Sequence, residues 1–79
     1  MEAYQNKITQ ILAIVLEVPT EQIDEASSPD TIVSWDSIKH MNLVIALEEE
    51  FDIEFTDNEI IEMMNYKLIC NIVQSKKNS

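Results

Sequence analysis

Seventy-nine residues with 15 acidic and 5 basic side chains carry a net charge of −10, which repels nucleic acid and anionic membrane surfaces and selects basic proteins as partners. A chain this short keeps much of its surface exposed after folding, so residues 1–79 are expected to form one domain with a small core and no deep catalytic pocket. The absence of glycine removes glycine-rich phosphate loops, the dinucleotide fingerprint and primed hairpin turns, and an all-α fold is the expectation that remains.

Cys70 is the single cysteine, so no internal disulfide can form, and a small core residue in a reducing cytosol is expected. No apolar run reaches bilayer length, and the N-terminus lacks the charged-then-apolar order of a signal peptide. A cytoplasmic monomer without a membrane span is therefore expected.

Apolar residues at Tyr4, Ile8, Ile11, Leu12, Val15 and Leu16 form one stripe of a helix running from about Glu2 to Glu17. Val18-Pro19 stops it, because the residue before proline avoids the helical region. A long Ser-, Thr-, Asp- and Pro-rich connection follows to Trp35. Thr20-Glu21-Gln22-Ile23 can supply a short turn within it, and Ile23, Ile32 and Val33 are expected to pin it to the core. The second helix is predicted from Ser37 to about Phe51, with Asp36 as its N-cap. Thr56-Asp57-Asn58-Glu59 has capping-box form and opens a short third helix through about Met64. Asn65 can cap a fourth helix, roughly Tyr66 to Gln74, that buries Ile69, Ile72 and Val73. Lys76 and Lys77 then lie at its end, where cations suit the helix dipole, and the tail Asn78-Ser79 is expected to fray.

The second helix has two apolar faces. Leu43, Val44, Leu47 and Phe51 cluster on one side as the natural core face. Ile38, Met41 and Ile45 fall nearly opposite, flanked by Asn42, Glu48 and Glu49. Two readings stand: a docking surface for a partner whose apolar patch is ringed by Lys or Arg, or a stripe covered by a loop or by the third helix.

Ser37 opens that helix. Serine favours such positions as a cap, but Asp36 can do the capping, and a helix N-terminus is a ready site for a phosphate ester on the hydroxyl. His40, three residues on, could meet Ser37 as a base, yet the chain offers neither a second histidine to choose from nor a glycine turn to build an oxyanion hole. No catalytic residue is assigned, and His40 is expected to be a partly exposed helix residue able to change charge near neutral pH. The acidic run from Glu48 to Glu62 fails as a calcium loop, with Asp57 where the sharp turn wants glycine and Met63 where the bidentate glutamate belongs. No metal site is assigned.

Trp35-Asp36-Ser37-Ile38, followed by Leu43-Val44-Ile45-Ala46-Leu47-Glu48-Glu49-Glu50-Phe51-Asp52-Ile53, resembles the acyl carrier proteins, whose signature is Asp-Ser-Leu ahead of an apolar helix with an acidic-aromatic end. The likeness extends through Phe55-Thr56-Asp57-Asn58-Glu59-Ile60 to the closing helix. It implies a four-helix bundle of three longer helices and a short third one, with a long loop between helices one and two. It further implies that a phosphopantetheinyl transferase attaches 4′-phosphopantetheine from coenzyme A to Ser37, with Asp36 helping to place the transferase's magnesium ion and the coenzyme. The arm would carry an acyl group as a thioester, and a long acyl chain could slip between the helices. Acyl-loading and acyl-transferring enzymes with basic docking patches would read Ile38, Met41, Ile45, Glu48 and Glu49.

The sequence also departs from the family pattern. Ile38 replaces the usual leucine, Lys39 and Asn42 stand where carriers of fatty acid synthesis typically have acidic residues, and Trp35 is a large aromatic just ahead of the serine. Trp35, Lys39 and Asn42 are therefore expected to help decide which enzymes use the carrier. A stand-alone carrier of a dedicated pathway fits this pattern, with a specialised acyl, polyketide-type or aminoacyl cargo. The alternative from another class is an unmodified acidic adaptor that uses helix two only to bind proteins.

Overall fold

The computed structural model describes residues 2–77 and folds them into four α-helices: α1 (Glu2–Leu16), α2 (Ser37–Phe51), α3 (Asp57–Glu62) and α4 (Tyr66–Lys77). A single 3₁₀ turn, Thr20–Gln22, interrupts the long loop between α1 and α2. No strand occurs among the described residues, and none of the helices is long and apolar enough to cross a membrane. The all-α class and the three-long, one-short arrangement agree with the sequence pattern.

The apolar stripe of α1 sinks Ile8, Leu12 and Leu16 completely, and α2 meets it with Leu43, Val44, Leu47 and Phe51. Helix α4 closes the core with Tyr66, Ile69, Cys70 and Val73, while Met63 fills the space after α3. Tyr4 and Phe51 meet edge to face, ring centroids 5.8 Å apart, an arrangement that suits the ring quadrupoles. The helices of this small core are thus spaced by branched and aromatic side chains, and deleting one leaves a cavity.

Both long helices that flank the first loop end without glycine. Glu17 and Asp52 take left-handed backbone, φ 60° and 55°. The following amide then turns back on the helix: Val18 N–H donates to the Ala13 carbonyl and Ile53 N–H to the Glu48 carbonyl, each at 3.1 Å. These bonds satisfy carbonyls that the helix end would otherwise orphan. Helix α1 therefore stops at Leu16, before Val18-Pro19 acts. Helix α3 stops at Glu62, short of Met64, with Met63 as its C-cap. Helix α4 runs past Gln74 to Lys77, so Lys76 and Lys77 form its last turn. Lys76 pairs with Glu59 at 2.8 Å and lies over the Phe55 ring. Lys77 donates to the Phe51 carbonyl at 3.0 Å. Asn78 and Ser79, expected to fray, lie outside the described residues.

The N-terminal caps follow the pattern read from sequence. Thr56 and Glu59 form the reciprocal capping box, and the Asn65 side chain accepts from the Leu68 amide at 2.8 Å.

The polar residues of the long loop make turns. The Asp24 amide donates to the Ser27 hydroxyl at 2.8 Å, the Ala26 amide to the Asp24 carboxylate at 2.9 Å, and the Ser28 amide to Thr31 Oγ1 at 2.9 Å. Ser27 is buried, and its carbonyl accepts from the Tyr66 amide at 2.9 Å, tying the loop to the start of α4. The Ser34 hydroxyl donates to the Leu16 carbonyl at 2.7 Å, closing the end of α1. Two expectations fail here. Val33 is 97% exposed, because the turn that sends Ile32 inward, with its amide on the Ser28 carbonyl, points the next side chain out. Ile72 is only half-buried, and Tyr66 and Cys70 fill the core in its place.

Two stability measurements test this account. Asp52→Gly removes left-handed strain from a side chain that is exposed, and is expected to raise unfolding free energy by about 0.5–1 kcal/mol after the added freedom of the unfolded chain is subtracted. An unchanged or lowered urea midpoint would contradict it. The second measurement concerns acid. Lys76, together with the Thr56 amide, holds the Glu59 carboxyl below its ordinary 4.5. A depressed carboxyl contributes stability above that value and loses it as pH falls through the lower folded value. Lys76→Met should therefore flatten the acid limb of a stability–pH curve while leaving the slope near neutrality alone.

Candidate functional site

Loop becomes helix at Asp36, which keeps extended backbone while its carbonyl accepts the first turn's His40 amide at 2.8 Å. The Asp36 carboxylate accepts from the Lys39 amide at 2.9 Å. This is the N-cap bond, and it leaves the amides of Ser37 and Ile38 without an acceptor among the described residues. The Ser37 side chain is exposed, and its hydroxyl makes no hydrogen bond among them either. Capping and hydroxyl are thus separated between neighbours. The free hydroxyl stands at the positive end of a 15-residue helix, where a phosphodiester anion would find two unengaged N–H groups.

His40 is engaged on both sides. The Trp35 indole N–H can only donate, and it donates to His40 Nδ1 at 3.1 Å. His40 Nε2 lies 3.0 Å from the Ile60 carbonyl, which can only accept, so Nε2 carries the proton in this arrangement. The two rings also stack, 25° apart with centroids at 6.2 Å. Neither ring nitrogen is left for Ser37. The histidine instead ties the start of α2 to α3, a role that spacing along the chain does not reveal.

The other side chains expected on the partner face divide into two groups. Ile38, at 73% exposed, Met41 and Ile45, at 51%, are open to solvent, as are Asn42 and Glu49. Neither loop nor α3 covers the stripe. Trp35, by contrast, is 2% exposed; the turn that donates its amide to the Ile32 carbonyl folds the ring into the core. It is removed from the set of surface contacts. Glu48 is half-buried and turned toward the next loop, where its carboxylate accepts from the Phe55 amide at 2.9 Å. Lys39 is half-buried and paired with Glu17 at 2.5 Å, which holds the Glu17 carboxyl below its usual range. That pair joins residues 22 apart in sequence, and no local signal announces it.

Beside the serine, Pro29, Trp35, His40, Met41 and Met64 line a groove of about 460 Å³ that Asp36 and Ser37 also border. Its apolar lining lies next to the free hydroxyl, whereas the centre of the bundle is filled by side chains such as Leu12, Leu43, Leu47 and Met63.

Residues 6–73 match the model of the phosphopantetheine attachment site family. An acyl carrier protein of Buchnera aphidicola subsp. Schizaphis graminum is 29% identical over 76 residues, covering 96% of each chain. That of Buchnera aphidicola subsp. Acyrthosiphon pisum, strain 5A, is 32% identical over 76 residues, 96% of this chain and 95% of its own. That of subsp. Baizongia pistaciae is 31% identical over 74 residues, 94% and 95% of the two chains. An all-helical bundle of this size with such relatives is a non-catalytic carrier domain, the class whose chemistry resides in a covalently held 4′-phosphopantetheine. The chain belongs to the phosphopantetheine attachment site family and, within it, groups with the acyl carrier proteins.

The histidine bridge gives this region its test. His40→Ala leaves the buried Trp35 indole N–H without an acceptor, which should lower stability by about 1–3 kcal/mol in urea unfolding. Emission from Trp35, the single tryptophan, follows the transition. A midpoint equal to that of the parent protein would show that the bridge contributes nothing.

Proposed function

We propose that Ser37 carries the 4′-phosphopantetheine arm and that the whole chain, residues 1–79, works as one carrier domain. The observation that carries this reading is the spare, exposed hydroxyl at the head of α2, with the capping bond made by Asp36 beside it. In loading, the Ser37 oxygen bonds to the phosphorus on the pantetheine side of coenzyme A's pyrophosphate. The bridging bond breaks, the adenosine 3′,5′-bisphosphate half departs, and the serine proton passes to a base on the transferase. Asp36 is exposed next to the reacting oxygen and is suited to help position the transferase's magnesium ion. When bound, the arm supplies a terminal thiol that holds an acyl group as a thioester. The chain's own contribution is to anchor that thiol and raise its concentration at successive active sites.

Partner enzymes read the open face of α2. Ile38, Met41 and Ile45 give apolar contacts, and Asn42 and Glu49 flank them. The first turn of α2 holds no acidic residue and its Lys39 is paired with Glu17, so this end of the helix is less negative than its Glu48–Glu50 end, a pattern that favours a dedicated pathway over bulk fatty acid synthesis. Mutual repulsion between chains of charge −10 favours a monomer, and a reducing cytoplasm suits the free Cys70.

Incubation with coenzyme A, magnesium and a broad-specificity phosphopantetheinyl transferase should add the mass of one arm to the wild type and nothing to Ser37→Ala. A wild type left unmodified by several transferases would sink the proposal. Alkylation adds a second check. Burial pushes the Cys70 thiol up, against a smaller opposing effect of its bond with Tyr66, so less of it is thiolate at neutral pH. In the loaded native protein iodoacetamide should therefore modify the arm and spare Cys70, and only unfolding should expose the second thiol. As to pathway, elongation of the acyl-loaded form by a general fatty acid synthase set as efficiently as that set's own carrier would refute a dedicated role.

A further inference from the structure

A second groove lies on the flank of α2 that faces α1. It is lined by Ile11, Ile14, Val15, Ala46, Glu49 and Glu50 and measures about 310 Å³. Helix α1 carries Lys7, Ile11 and Ile14 at i, i+4, i+7, so they form one ridge displaced from the buried stripe. Ile14 at the end of that ridge is 76% exposed, and the small side chain of Ala46 leaves the opposite wall low. The polar members of the lining are acidic. Glu50 makes only a loose, exposed pair with Lys7 at 3.5 Å, of the kind that contributes little and can be exchanged. Glu49 makes no ion pair among the described residues.

Charge narrows the occupant. A second copy of the chain would bring another −10 to the contact, and nucleic acid or an anionic membrane would be repelled as well. The geometry points to this groove as a docking site for an amphipathic helix of a basic partner protein. Two apolar side chains one turn apart enter between Ile14 and Ala46, and flanking Lys or Arg residues meet Glu49 and Glu50. Ala46 lies nine residues beyond Ser37. At the rise and rotation of an α-helix this is about 13 Å along the axis and about 180° around it. A partner centred on Ile14 and Ala46 leaves the serine hydroxyl clear, and the groove shares only Glu49 with the open face of α2. The inference uses no property of the serine and stands apart from its loading.

An amide NMR titration of the full chain with a synthetic peptide of Leu and Lys at amphipathic helical spacing tests it. Saturable shifts should centre on Ile11, Ile14, Val15 and Ala46. Ile14→Asp, a change at an exposed position, should weaken binding about tenfold through loss of the apolar contact and added repulsion within the groove, whereas Ser37→Ala should bind as the parent does. Shifts centred on Ile38 and Met41, a scrambled peptide that binds equally well, or an Ile14→Asp variant with parental affinity would each overturn the proposal. Loading of Ser37 by a transferase is measured separately and is unaffected by any of these results.

Discussion

One buried face of α2 organises the protein. Leu43, Val44, Leu47 and Phe51 are taken out of water between α1 and α4, and that burial fixes the rotation of the helix about its axis. Once the rotation is set, Ile38, Met41 and Ile45 have nowhere to go but solvent, and Ser37 is delivered to the exposed head of the helix. In a chain of 79 residues there is too little remaining structure to cover a second face. The open stripe is thus a consequence of the same packing that stabilises the fold, and the carrier's surface chemistry is coupled to its core through a single helix.

The long loop is held by many small devices. Ser27 and Ser34 tie it to the start of α4 and the end of α1, Ile32 and Trp35 anchor it in the core, and the Trp35–His40–Ile60 bridge joins it to α3 through α2. A polar loop of this length would otherwise add disorder beside the serine. Here its polar side chains are spent on its own turns, so the junction at Asp36 is presented from a fixed position.

Much of this could be read from the residues. The two faces of α2 follow from spacing alone, and the caps at Asp36, Thr56 and Asn65 follow from local hydrogen-bonding chemistry, so they were legible within a few residues. What escaped was tertiary. Whether Trp35 faced a partner or the core depended on how a turn near Ile32 folded. The placement of Val33 depended on the same turn. Glu48 looked like a surface charge until the next loop brought the Phe55 amide to it, and His40 looked partly free until Trp35 and Ile60 came from elsewhere in the chain. The ends of α1 and α2 were legible to within a residue, but their left-handed caps at Glu17 and Asp52 were hidden for another reason: the usual sequence mark of such a cap is glycine, and this protein has none.

The separation of cap from hydroxyl has a thermodynamic consequence. Because Asp36 makes the capping bond, the fold has no hydrogen bond invested in the Ser37 oxygen, and esterifying it breaks none. An arm attached there would change stability through attraction of its phosphodiester to the helix N-terminus, repulsion from Asp36 and the net charge of −10, and packing of the arm against the neighbouring groove. A hydroxyl left out of the fold's hydrogen bonding is one whose oxygen can be esterified without dismantling any bond of the structure around it.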